Sequence, residues 1–97
     1  MSKPTTPEKF IIRCDRAGVF YGEIASRSGD EAALENVRRV HYWQKAASLS
    51  QVAMEGVGPG SRLTVAVPSM TVLGVIEVIP CSPEATANLD AVPVWRA

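Results

Sequence analysis

The chain has 97 residues, and its ten lysines and arginines balance ten acids, leaving no formal net charge. That length supplies one hydrophobic core and no second domain. The charge balance excludes a bulk polyanion binder, so any nucleotide contact must come from a local patch. An apolar share of 46% with 21% charged residues belongs to a globular chain, not a disordered one.

Residues 1–8 are polar, carry two prolines and show no period, which reads as a loose N-terminal arm. From Phe10 to Asp15 the pattern is that of a strand, with Phe10, Ile12 and Cys14 on one face and Ile11, Arg13 and Asp15 on the other. Arg16-Ala17-Gly18 turns the chain, and Val19 to Ala25 returns as a hairpin partner. Phe20, Gly22 and Ile24 share one face of that partner, and Val19, Tyr21 and Glu23 the other.

Arg27 to Asp30 is the next turn. Glu31 to Leu34 has helical propensity, but residues 37–43 alternate and are rich in β-branched and aromatic side chains, which favours a strand there. Alternation puts Arg39 with His41 and Trp43 on one face, and Arg38 with Val40 and Tyr42 on the other. Ser48 with Gln51 forms a capping box and opens a helix over 48–55, which Gly56 closes as a left-handed cap. The following Gly56 to Gly60 loop lacks the features of a phosphate-binding loop.

Residues 62–67 alternate as another strand that ends at Pro68. Met70 to Ile79 is the most apolar run and reads as a central strand covered on both faces, interrupted only by Glu77. Glu77 either pairs with an arginine such as Arg13 or Arg39 or lies on an exposed face. Ser82-Pro83-Glu84 starts a second helix over 83–90, and the last residues are extended because Pro93 forbids further helix. The fold class is therefore α+β, an antiparallel sheet of about five strands with two short helices.

No catalytic motif is present. His41 is alone and the acids are scattered singly, which favours a structural or surface role over catalysis. Cys14 and Cys81 form no CxxC pair, so no metal site is expected, and both thiols should be reduced and buried in strands. No signal peptide pattern opens the chain and no apolar run is long enough for a bilayer, which points to a cytoplasmic protein.

Seven arginines against three lysines suit planar contacts to phosphate, although GC-rich coding produces the same bias. The run Arg38-Arg39-Val40-His41-Tyr42-Trp43 joins phosphate-gripping guanidiniums to rings that stack on a base. The plainer reading makes Trp43 core and the arginines solvated. Trp95 beside Arg96 repeats the pairing on the terminal tail, where an aromatic side chain suits a subunit contact.

The segments RCDRAGVFYGEI, RRVHYWQKAASLSQVAMEGV, EVIPCSPEA and VPVW, spread over most of the chain, resemble a family of small phage and prophage proteins. Its members show an AGVF-G hairpin, an RR-aromatic-W strand leading into AASLSQLA-EG, an EIIPC strand and a VW tail. That family is similar to the one containing the phage sponge of the Thoeris anti-defence class, a non-enzymatic binder of cyclic ADP-ribose isomers made by bacterial TIR enzymes. The resemblance implies a sheet core with two helices, assembled as dimers or a hexamer in the host cytoplasm. It further implies cyclic nucleotide signals, cyclic oligonucleotides among them, held between subunits without turnover and without a cofactor, and it implies no long nucleic acid or membrane partner. Gln44-Lys45 departs from the family pattern and adds a cation beside Trp43. Within the matching motifs, chemistry selects Arg13, Arg16, Arg38, Arg39, Tyr42, Trp43 and Arg96 as ligand-binding candidates. Of these, Arg39 is preferred because it shares a face with Trp43. The competing readings are a protein-binding inhibitor or virion-associated structural protein, which would use the same side chains as interface anchors, and a nucleotide-directed enzyme.

Overall fold

The computed structural model describes residues 8–96, so the expected N-terminal arm lies, apart from Glu8, outside the described residues. β1 (Phe10–Cys14), β2 (Gly18–Ser28) and β3 (Glu31–Tyr42) form an antiparallel meander. α1 (Leu49–Glu55), β4 (Arg62–Leu63), β5 (Val67–Val72), β6 (Val75–Pro80) and α2 (Pro83–Ala91) follow. The sheet runs β4-β3-β2-β1-β6, with β5 pairing β3 beyond β4. The fold is thus α+β, with an antiparallel sheet and two short helices.

β5 and β6 lie on opposite margins of this sheet, yet only Leu73 and Gly74 join them. The sheet must therefore curl until its margins meet. Two backbone bonds fix the closure: the Asp15 N–H donates to the Gly74 carbonyl and the Val75 N–H to the Asp30 carbonyl, each at 2.8 Å. The positive φ of Gly74, 75°, permits the corner and divides the apolar run expected to be one central strand. Instead of being central, β6 is a margin, with Ile76 and Glu77 exposed. The strand expected over 62–67 shrinks to two residues because Arg62 and Leu63 pair with β3 while Val67 already begins β5.

Two cores result. Inside the curl lie Ile12, Cys14, Phe20, Ala32, Leu34, Val37, Val72 and Val75. On the outer face, Ile11, Tyr21, Val40 and Leu63 pack against Val52 and Ala53 of α1 and Ala85 and Leu89 of α2. The alternation read for β1 and β2 holds: Ile12 and Phe20 face inward, Ile11 and Tyr21 face the helices.

β3 is one strand from Glu31, so the helical propensity of its first residues is overridden by pairing with β2 and β5. Its alternation breaks at Asn36, whose φ is +46°. Even positions Ala32 and Leu34 point inward before it and odd position Val37 after it. A bulge explains the change, since Tyr21 pairs Arg38 while Glu23 pairs Glu35. Asn36 Nδ2 donates to Glu23 Oε2 at 3.0 Å across the bulge. Gly22 lies beneath it, where a Cβ would come within 2.8 Å of Val37 Cα.

Ser48 caps α1 by accepting from the Gln51 N–H at 3.3 Å, and Gln51 Oε1 accepts from the Ala47 N–H at 2.8 Å. Gly56 ends the helix with φ 87° and ψ −156°, which is not the left-handed cap expected but a conformation that also favours glycine. Asn88 of α2 joins the two helices. Its amide donates to the Val57 carbonyl at 3.0 Å and accepts from the Val57 N–H at 2.8 Å.

Candidate functional site

The open mouth of the curl is a groove of about 700 Å³. Phe20 lines it with Arg39 from β3 and Asp15 and Arg16 from the β1–β2 turn, and Met70, Val72 and Leu73 form an apolar wall. Arg39 follows Val37 on the inward face, which brings its guanidinium carbon to 4.7 Å from the Phe20 ring centroid. Its Nη1 also donates to the Ala17 carbonyl. The guanidinium is thereby tethered over an aromatic ring while the side chain stays exposed. Among the described residues, its other side-chain N–H groups make no hydrogen bond. Beneath it, burial pushes the Cys14 thiol up and the Arg39 charge partly offsets this.

Of the seven candidates, Arg16 and Arg39 come together here. Arg13 and Trp43 meet in a separate groove of about 360 Å³ on the helix side, with Glu77, Ser48 and Leu49. Arg13 Nη1 lies 3.9 Å from Glu77 Oε1, so the arginine partner foreseen for Glu77 is Arg13. Arg39 and Trp43 do not share a face. After Tyr42 the strand ends, and Trp43 packs onto the outer core near Val19 and Leu49. The ring associated with Arg39 is Phe20.

Tyr42 belongs to a third group. The Arg62 guanidinium carbon is 5.9 Å from the Tyr42 centroid and 5.3 Å from that of Trp95. Trp95 in turn stacks on His41, with centroids 4.7 Å apart and planes 9° from parallel. Arg96 is exposed next to this stack.

Arg38 is not available to a ligand. It is 7% exposed and donates to five backbone carbonyls: Thr64 (2.8 Å), Leu63 (3.3 Å), Leu89 (3.0 Å), Val92 (2.8 Å) and Pro93 (3.3 Å). The Leu63 and Thr64 carbonyls lie at the end of β4, and those of Leu89, Val92 and Pro93 end α2 and start the tail, where a guanidinium satisfies orphan carbonyls and meets the negative helix end. Desolvation lowers its pKa, and the charges of Asp90 and Tyr21 partly oppose this. The signal was present in the alternation, which places Arg38 beside Val40 on the face that the helices cover.

Sequence reasoning missed Phe20 as the ring under Arg39, Asp15 as a groove carboxylate, and the wall from β5. Phe20 and Arg39 are cross-strand partners in a β2–β3 register that the bulge sets, while the other two depend on the curl, which brings the β1–β2 turn against residues 70–74. Cys81, expected within a strand, lies just past β6 and is half-buried, while Cys14 is buried in β1. No three His, Cys, Asp or Glu side chains converge among the described residues. No helix of these residues is long and apolar enough to cross a membrane.

A curled antiparallel sheet backed by two helices, with an arginine-bearing groove at its mouth, is the architecture of a small α+β domain. The chain belongs to the family described as Domain of unknown function (DUF6948), whose model matches residues 7–89. Searches of curated proteins and of solved structures return no match.

Proposed function

We propose that this protein binds and sequesters a small phosphorylated, ring-bearing molecule without converting it. The class of ligand is the cyclic nucleotide immune signals held by the phage sponge family that the sequence resembles. The observation that carries the reading is Arg39, held over Phe20 and lining a groove shared with Arg16.

A guanidinium tethered over a ring offers a cationic stacking surface, and its free N–H groups suit phosphate oxygens. Arg16 supplies a second cation, while Met70, Val72 and Leu73 give a purine an apolar wall. Sequestration requires affinity and no acid–base pair. The charged groups of the groove, two guanidiniums and the exposed Asp15, suit that task. Action in the bacterial cytoplasm as a homo-oligomer rests on the same resemblance.

The test incubates the purified protein with a TIR-produced cyclic ADP-ribose isomer, removes free ligand by filtration and denatures the retained protein with heat. Intact signal in the heated supernatant is the expected result. Degraded signal would make the protein an enzyme, and signal that passes the filter would leave a protein-directed role.

A further inference from the structure

Asp15 is the one charged group of the groove that phosphate binding does not use. The lining carries two cations, Arg16 and Arg39, and this single carboxylate. A carboxylate repels phosphate, so its place here calls for a ligand group of another kind.

The fold fixes where Asp15 stands. Its backbone N–H donates to the Gly74 carbonyl at 2.8 Å, which ties it to the corner between β5 and β6. Its Cβ packs against Gly74, 3.6 Å from where a Cβ on that glycine would be. Arg39 is tethered to the same β1–β2 turn at the Ala17 carbonyl, reaching it from β3. Asp15 forms no ion pair with Arg16, Arg39 or any other described residue. Its side chain is exposed, so both carboxylate oxygens keep lone pairs for a ligand.

Neighbouring acceptors are already engaged. The Ala17 carbonyl takes an Arg39 N–H, and the Gly74 carbonyl takes the N–H of Asp15. Thr71 alternates with Met70 and Val72, which pack on the inner core, and so points away from them. The groove is therefore polarised, with guanidinium donors from β3 and the turn and a free acceptor at the corner.

We infer that Asp15 selects the sugar of the ligand, accepting hydrogen bonds from the two adjacent hydroxyls of a ribose whose phosphate Arg39 and Arg16 hold. This role rests on the sequestration proposed above and narrows its ligands to those with a free ribose diol. Two carboxylate oxygens match two neighbouring O–H donors, as in other ribose sites that use an acid. Hydroxyls are also neutral, which suits a groove where cations outnumber acids two to one. An ammonium donor would add a third cation there. A deoxyribose supplies one donor fewer and leaves one carboxylate oxygen to water.

Calorimetry with two probes tests this: a cyclic ADP-ribose isomer with both hydroxyls of one ribose free, and its counterpart with one of those hydroxyls replaced by hydrogen. Wild-type protein should prefer the first by about tenfold, the scale of one hydrogen bond to a charged group. Asp15→Ala should weaken binding of the first about tenfold or more and bind both probes alike. Asp15→Asn, which keeps the shape and one neutral acceptor, should fall between. If Asp15 only repels phosphate, both variants should instead bind both probes more tightly than wild type. That result, or a wild-type protein indifferent to the missing hydroxyl, overturns the role of Asp15 and leaves sequestration standing. A wild-type protein that binds neither probe overturns sequestration of this ligand class, and the sugar selection with it.

Discussion

The Tyr21 hydroxyl donates to Asp90 Oδ1 across 2.7 Å, tying the middle of β2 to the last turn of α2. Lys9 Nζ reaches the same oxygen at 3.2 Å and lies 5.2 Å from the Tyr21 ring centroid. Tyr21 is fully buried and its phenol pKa is raised, first by burial and then by Asp90. Tyr21→Phe keeps the packing and removes this bond, so it should cost about 1.5 kcal/mol in urea unfolding, the scale for a hydrogen bond to a charged group. An unchanged midpoint would show that water replaces the hydroxyl without loss.

Arg38 makes a stronger prediction. Replacing it with leucine strips the donors from five carbonyls and should cost about 3 kcal/mol. Arg38→Lys should recover only part of that, since an ammonium cannot span carbonyls from two segments as a planar fork does. A leucine variant as stable as wild type would mean that the tail is held by packing alone.

The bulge can be tested through Asn36, whose φ of +46° is costly for most side chains. Asn36→Ala should destabilise by about 1 kcal/mol, while Asn36→Gly should sit near wild type. Equal losses in the two variants would assign the effect to the Glu23 hydrogen bond and not to the backbone.

Alkaline pH should weaken the fold through Cys81. Burial, followed by the Asp90 carboxylate, pushes its thiol from 9.0 up to about 11. The folded chain therefore keeps a proton that the unfolded chain releases. That contribution is complete below pH 9 and is lost as pH rises toward 11. Cys81→Ala should flatten the decline in urea midpoint across this window. Some slope should persist above the ordinary tyrosine value of 10.0 because Tyr21 is shifted the same way. Superimposable pH profiles for the two proteins would exclude the thiol as a source.

For ligand binding, Arg39→Ala should weaken affinity about tenfold or more, one decade being about 1.4 kcal/mol. Trp43→Phe should leave affinity unchanged, since Trp43 lines the other groove. Calorimetry with a cyclic ADP-ribose isomer separates the two, and the reverse ranking would move the site to the helix side of the sheet.

Much of this was legible in the sequence because it is local. The faces of β1 and β2 follow from alternation, and both helix starts follow from Ser48 and Ser82 with their acceptor geometry. Pairing beyond neighbours was not legible. The split at Leu73-Gly74 is set by where the margins of the sheet meet, and an apolar run carries no mark of that. The assignment of Arg39 to Trp43 failed because alternation extends only as far as the strand, and β3 ends at Tyr42. Arg38 was read as a ligand arginine because its acceptors are backbone carbonyls, which any sequence supplies and none advertises.

Those acceptors also set an order in time. Arg38 is synthesised 51 to 55 residues before the carbonyls of Leu89, Val92 and Pro93. Until they emerge, a charged side chain on β3 faces a half-built core with only the Leu63 and Thr64 carbonyls to satisfy it. The meander can form first, but the outer layer can lock only once residues 89–93 are available. Nascent chains stalled short of residue 93 should therefore remain sensitive to protease on the helix-facing side of the sheet.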